Sequence, residues 1–277
     1  MPNQKSNPGN SLEEALKALA EQAKTALEEG FVYFKEDLKL KGSNLKKTDT
    51  GAAINRPVII SRASMVSPEA GPICVTTSDF SASPKAGEKA GALNSYNLKI
   101  KSCQKCPLGK TRLNFVFGEG APGAKLVFIG EAPGADEDES GRPFIGRAGK
   151  LLTKIIEAVN FKREDVFIMN VLKCRPPNNR APEPEEVKEC SPYLFKQLEI
   201  INPVIICTLG NPATQTLLQT KEGISKLRGR ELYWNGIKVI PTFHPSACLR
   251  NPAYKVDVWK DMKFLRKEYD RLCGSGN

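Results

Sequence analysis

Apolar positions follow two different textures along this chain of 277 residues, and the change falls near residue 95. Ahead of it, residues 11–38 place Leu12, Leu16, Leu19 and Ala20 at helical spacing behind a Ser11 cap with Glu14 three residues on, which predicts one amphipathic helix. Residues 39–94 are rich in Ser, Gly, Ala, Pro and Lys around a single apolar patch, Pro57-Val58-Ile59-Ile60, and read as a flexible linker. Beyond Tyr96 short apolar blocks alternate with amphipathic stretches. Residues 125–130, 166–172 and 204–209 read as strands; 146–159, 184–201 and 212–219 read as helices. The segment ELYWNGIKVI reads as a hairpin turning on Asn235-Gly236, and a terminal helix is expected over 252–272. This alternation predicts an α/β domain over residues 96–277, three layers with a central, mainly parallel sheet, preceded by an N-terminal extension over 1–95. Ligands of such sheets bind beyond the carboxyl ends of the strands, which directs attention to the segments after Ile129, Met169, Leu209 and Phe243.

Composition narrows the function classes. Apolar residues make up 40% and charged residues 26%, ordinary for a globular chain, and runs such as Val204-Ile205-Ile206-Cys207 are far too short to span a bilayer. The first residues, MPNQKSNPGN, hold no apolar signal region, so a cytoplasmic location without membrane attachment is expected. In that setting the eight cysteines are expected to serve as thiols, ligands or core residues, not as a disulfide framework. The net charge of +10 is unevenly spread: residues 1–95 carry 12 basic and 11 acidic side chains, leaving 29 and 20 for the rest. A basic domain attracts polyanions through counterion release, so nucleic acid is the first partner to consider, beside the plainer reading of surplus lysine as an aid to solubility.

Two familiar patterns do not apply. Gly118-Glu119-Gly120-Ala121-Pro122-Gly123 spells G-x-G-x-x-G, yet it precedes a strand where a dinucleotide fingerprint would follow one, and it reads as a turn. A phosphate-binding loop fails at Ala124, where lysine would stand. The cysteines are more specific. Cys103 and Cys106 form a C-x-x-C pair in a polar loop, Cys174 follows a strand and Cys190 lies on the next helix. Four thiolates suit tetrahedral zinc or a [4Fe–4S] cluster; the wide second spacing and the prolines at 107, 176 and 177 favour the cluster. Cys207 reads as a core residue in an apolar strand, while Cys74, Cys248 and Cys273 take no assignment. His244, the sole histidine, stands at a strand end beside prolines, where a rigid loop meets a ligand.

Taken in order, GEAPG (130–134), GRPF (141–144), NVLKCRPP (170–177), LGNPA (209–213) and HPS (244–246), with cysteines at 103, 106, 174 and 190, resemble the family-four uracil-DNA glycosylases, the iron–sulfur branch of that superfamily. The resemblance covers about residues 96–272 and says nothing of residues 1–95. It implies a monofunctional enzyme of base excision repair that hydrolyses the N-glycosidic bond of uracil in DNA, single- or double-stranded; a monomer is expected. It also implies a structural [4Fe–4S] cluster held by Cys103, Cys106, Cys174 and Cys190. By similarity His244 donates to uracil O2 as the base departs as an anion, Asn170 reads N3–H and O4, and Phe144 stacks on the ring beside Gly130. The family-one enzymes carry a water-positioning aspartate in GQDPY; its place here is Ala132, and the tyrosine place is Gly134. Glu131 is the nearest carboxylate, a candidate catalytic base or a loop anchor, with backbone positioning of water as a third option. Base flipping requires a wedge, for which Leu249 and Arg250 are candidates, and phosphate holders, for which Ser246 and the amides of Gly210 and Asn211 are candidates. Arg142, Lys173 and Arg175 are expected to add positive charge nearby. Two rival readings are a cluster-bearing DNA-binding module without catalysis and a relative acting on other deaminated bases.

Overall fold

The computed structural model describes residues 58–60, as backbone, and 86–274. The helix expected over 11–38 lies outside the described residues. Four strands form the centre of the sheet: β3 (Leu126–Gly130), β4 (Phe167–Asn170), β5 (Ile205–Leu209) and β7 (Ile237–Thr242). They run parallel in the order β7-β5-β3-β4, and every residue of β3, β4 and β5 is buried. Strands covered on both faces must be apolar throughout, which is why these blocks show no alternation in the sequence. The pleat then divides them. Leu126 and Phe128 join one core with Ile168, Cys207 and Ile240, while Val127 and Ile129 join the other with Phe167, Met169 and Ile206.

Helices close both faces. Leu152, Ile155 and Ile156 of α4 (Arg147–Ala158), and Val258, Met262 and Leu265 of α9 (Tyr254–Cys273), cover the first core. Leu194, Leu198 and Ile201 of α5 (Pro184–Ile201), with Ala213, Leu217 and Leu218 of α6 (Asn211–Leu218), cover the second. The three-layer α/β/α expectation is met. At one edge β6 (Leu232–Trp234) pairs antiparallel with β7 through the Asn235-Gly236 turn, where both residues take positive φ, 47° and 80°, as a tight hairpin requires. At the other edge β2 (Glu119–Gly120) pairs antiparallel with β4, so the G-x-G-x-x-G segment is a turn that also contributes a short edge strand.

Two segments correct the reading of residues 39–94 as linker. Residues 58–60 form β1 (Val58–Ile60), parallel to β6 at the sheet edge. Helix α1 (Ala86–Ile100) crosses the expected boundary at residue 95. It buries only Leu93 and Ile100, too thin a stripe to stand out as a period, and its Lys89 ammonium donates to the Ile201 carbonyl (2.7 Å) at the end of α5.

The crevice of a doubly wound sheet opens where the strand order reverses. Here the chain moves from β3 out to β4, then returns across β3 to β5 and on to β7. The ends of β3, β4 and β7 therefore share one side of the sheet, and short helix α8 (Pro245–Arg250) starts immediately beyond β7.

Candidate active site

A cleft of about 500 Å³ opens at these strand ends, lined by Glu131, Phe144, Asn170, His244, Ser246 and Arg250 among others. Six of the residues singled out from sequence thus line one cleft. Gly130 stands behind it: a Cβ there would collide with the Asn170 carboxamide and the Phe144 ring, so glycine is what lets the two approach. Gly130 and Asn170 are also direct partners in the β3–β4 register. Asn170 is buried, and its Oδ1 takes no hydrogen bond from the described residues. A buried acceptor with no donor is costly, and Asn170 lines the cleft, where a ligand can supply one.

His244 caps the N-terminus of α8. Its Nδ1 accepts the Ser246 backbone N–H at 3.1 Å and lies 2.8 Å from the Ser246 hydroxyl. A backbone N–H can only donate, so Nδ1 holds a lone pair and the neutral ring carries its proton on Nε2. Loss of hydration on burial, with the Arg250 charge in support, pushes the imidazole pKa down to about 4. His244 is therefore a neutral Nε2–H donor at pH 7. Its ring centroid is 5.6 Å from that of Phe144 at a tilt of 34°. A Cβ on Gly210 would lie 3.1 Å from the His244 Cβ, so that glycine lets α6 start close behind the ring.

Phe144 sits at φ 52°, a left-handed backbone unusual for a bulky residue, of the kind that costs about 1–3 kcal/mol and persists only where its surroundings impose it. Three contacts impose it. Arg163 Nη2 donates to the Pro143 carbonyl (2.7 Å), Glu137 Oε1 accepts from the amides of Ile145 (3.0 Å) and Gly146 (2.9 Å), and Gly149 leaves out a Cβ that would strike the Phe144 carbonyl. Arg163 is itself held by Glu119 (2.8 Å), whose carboxyl stays below its usual pKa through Arg142 and Arg163 despite the opposing effect of burial. Glu137 Oε2 also accepts from Gly134 N–H at 3.0 Å, so this side chain, three residues after the helix cap at Gly134, fastens the 130–146 loop to itself. Glu137 is not among the residues the sequence singles out, although its place three residues after a glycine cap is a legible signal.

Glu131 also faces the cleft. Burial raises its carboxyl pKa, with Arg250 pulling the other way, and its carboxylate accepts no hydrogen bond from the described residues. Loop anchoring thus belongs to Glu137 and not to Glu131.

The structure places the other candidates as follows. Leu249 and Arg250, the two wedge candidates, are both exposed, Leu249 by 41%. The Gly210 amide donates to the Thr242 carbonyl (2.8 Å) and is not free for phosphate, and the Asn211 carboxamide oxygen accepts the Ile224 amide (2.6 Å). Arg142 is paired with Glu119 (2.8 Å), Arg175 Nε donates to Asn179 Oδ1 (2.8 Å), and Lys173 is fully buried, so the last offers no charge to a ligand in the cleft.

The four cysteines gather around a second, smaller pocket: Cys103 and Cys106 precede α2 (Leu108–Thr111), Cys174 follows β4, and Cys190 faces them from α5. Three of the sulfurs accept hydrogen bonds, Cys174 from Arg112 Nη1 (3.1 Å), Cys103 from the Tyr193 hydroxyl (3.1 Å) and Cys190 from the Lys173 amide (3.3 Å). Donors turned toward sulfur are what metal-bound thiolates require, so the donor set fits a four-thiolate centre. Among the described residues no three His, Cys, Asp or Glu side chains form a single-ion site. Cys207 and Cys248 are buried in the core around β5 and α8.

A mainly parallel sheet with a cleft of neutral and charged polar groups at its strand ends and a separate four-cysteine pocket defines a class, and residues 117–263 match the family model of the uracil DNA glycosylase superfamily. Similarity extends further, to a type-4 uracil-DNA glycosylase of Thermotoga maritima, 48% identical over 61% of this chain and 93% of that protein. Those of Sulfurisphaera tokodaii (46%; 64% and 84%) and Archaeoglobus fulgidus (46%; 64% and 90%) are similarly related. The chain belongs to the type-4 uracil-DNA glycosylase family.

Proposed function

We infer that this protein hydrolyses the N-glycosidic bond of uracil in DNA, releasing free uracil and leaving an abasic site. The observation that carries the reading is the meeting, on one cleft, of an unsatisfied Asn170 carboxamide oxygen, a neutral imidazole with its proton on Nε2, and the Phe144 ring. Asn170 Oδ1 accepts from uracil N3–H and its NH₂ donates to O4; cytosine presents the opposite pair. As the bond to C1′ breaks, negative charge grows on the base and positive charge on the sugar. His244 Nε2–H donates to O2 as that charge develops, while Phe144 covers the ring and excludes water. Glu131, with its proton affinity raised by burial, takes a proton from the attacking water. Ser246 and Arg250 meet the backbone of the flipped nucleotide, and Leu249 fills the gap it leaves in the stack. Of the helix opening at Asn211, the residue's own amide is the part left for phosphate.

Cys103, Cys106, Cys174 and Cys190 hold a [4Fe–4S] cluster that ties α1, β4 and α5 together; its contribution is structural. Residues 96–277 form the catalytic domain, with residues 86–95 belonging to it through α1.

Purified protein is expected to be brown, to carry iron, and to leave alkali-labile sites in uracil-containing oligonucleotides with no added divalent metal. Intact strands after alkali treatment would favour a binding module, and release of hypoxanthine in preference to uracil would favour the other rival. The pH profile gives a second check. Because the folded imidazole titrates near 4 in place of its ordinary 6.5, His244 should add no limb to the kcat profile near pH 6.5, and an acid limb set by Glu131 should vanish in Glu131→Gln. A limb near 6.5 that survives Glu131→Gln would show a normally titrating ring. The same shift means that stability associated with His244 is fully present above the unfolded value and is lost as pH falls from about 6.5 through about 4.

A further inference from the structure

Lys173 is 0% exposed, and among the described residues no carboxylate pairs with it. Its ammonium donates instead to two backbone carbonyls, Asn170 at 2.8 Å and Phe117 at 3.3 Å, the latter shared with Gln197 Nε2 at 2.9 Å. A buried cation with only neutral partners is costly, and one retained there needs compensating charge. The backbone amide of Lys173 donates to Cys190 Sγ at 3.3 Å and Cys174 is its chain neighbour, so the thiolates of a bound cluster would stand beside it. The turn it spans is fastened on the other side as well, since the amides of Val171 and Leu172 donate to the carbonyls of Gly130 and Glu131, both at 3.0 Å.

We propose that Lys173 is a positioning residue that couples the cysteine-held cluster to base recognition: balanced by the thiolates, it grips the Asn170 carbonyl and fixes the turn that aims the Asn170 carboxamide into the cleft. The proposal rests on the cluster and on the uracil-reading role of Asn170. It explains why β4 stops at Asn170, although the apolar sequence continues through Val171-Leu172.

The test compares the holoenzyme with Lys173→Met, Lys173→Gln and Lys173→Arg. The readouts are iron and sulfide per chain, cluster reduction potential, kcat and KM on a uracil oligonucleotide, and inhibition by free uracil. Lys173→Met is expected to retain iron, to lose about 10²-fold in kcat per cluster, as misplacement of a recognition group by about 1 Å would produce, and to bind free uracil more weakly in step. Its potential should move negative, because a cation beside the cluster has gone, and Lys173→Arg should recover part of each change. Wild-type kcat and uracil inhibition per cluster in Lys173→Met would overturn the proposal. Should that variant lose iron, Lys173→Gln, which keeps a donor, decides by the same measure: reduced turnover per cluster supports the coupling and wild-type turnover per cluster refutes it. A wild-type protein without iron, or one whose inhibition by uracil is indifferent to Asn170→Ala, would instead refute the functional reading on which the proposal stands.

Discussion

Replacing His244 by alanine is expected to lower kcat for uracil excision by roughly 10²–10³-fold, about 2.7–4 kcal/mol of transition-state stabilisation, with KM little changed. The split follows from what the ring does. Its Nε2–H meets a carbonyl oxygen in the bound substrate and an anion as the base departs, and only the second interaction strengthens during reaction. Ground-state binding survives in Asn170 and Phe144, which hold their places through β4 and the Arg163 and Glu137 contacts. Single-turnover rates at saturating enzyme, measured beside iron content, check this. An unchanged rate, or a loss confined to KM, would remove His244 from the chemistry.

Asn170→Asp is expected to change the base that is recognised. The carboxylate still offers an acceptor but can no longer donate to uracil O4, and it repels that oxygen. With one buried hydrogen bond lost and an oxygen–oxygen repulsion put in its place, at about 1–3 kcal/mol each, uracil excision should fall by roughly 10²–10⁴-fold. Cytosine presents an amino group where uracil presents O4, so the variant should release cytosine at a rate above that of the parent enzyme. Parallel assays on oligonucleotides carrying one uracil or one cytosine decide the matter. Uracil kinetics equal to the parent's would show that the unsatisfied oxygen at Asn170 does not read the base.

Much of this site was legible in the sequence because its chemistry sits where a parallel sheet presents ligands. Strand blocks 125–130, 166–172 and 204–209 locate the strand ends, and GEAPG, GRPF, NVLKCRPP and HPS lie at or beside them. Less legible were features set by distant contacts. Nothing in the sequence marks strain at Phe144, and only the placement of Arg163, Glu137 and Gly149 reveals a left-handed backbone that presents its ring. The apolar run through Leu172 predicts a longer β4, because nothing local marks the Lys173 side chain turning back to the Asn170 carbonyl. For the same reason the sequence suggests a charge near the site where the structure buries the lysine. The Gly210 amide was a reasonable phosphate donor at the start of a helix, yet the neighbouring strand end at Thr242 had already engaged it. Helix α1 and strand β1 escaped notice because one buries only two side chains and the other contributes three edge residues.

Since the chain contains one histidine, its imidazole can be observed alone by nitrogen NMR of protein labelled at histidine. Bound to DNA carrying an uncleavable uridine analogue, or free, the ring should show an unprotonated Nδ1 and a protonated Nε2 from about pH 8 down to about pH 5.5, with the Nε2 proton shifting downfield when the analogue binds. A ring protonated at both nitrogens near pH 6.5, or one carrying its proton on Nδ1, would contradict the assignment of His244 as the neutral donor to the departing base.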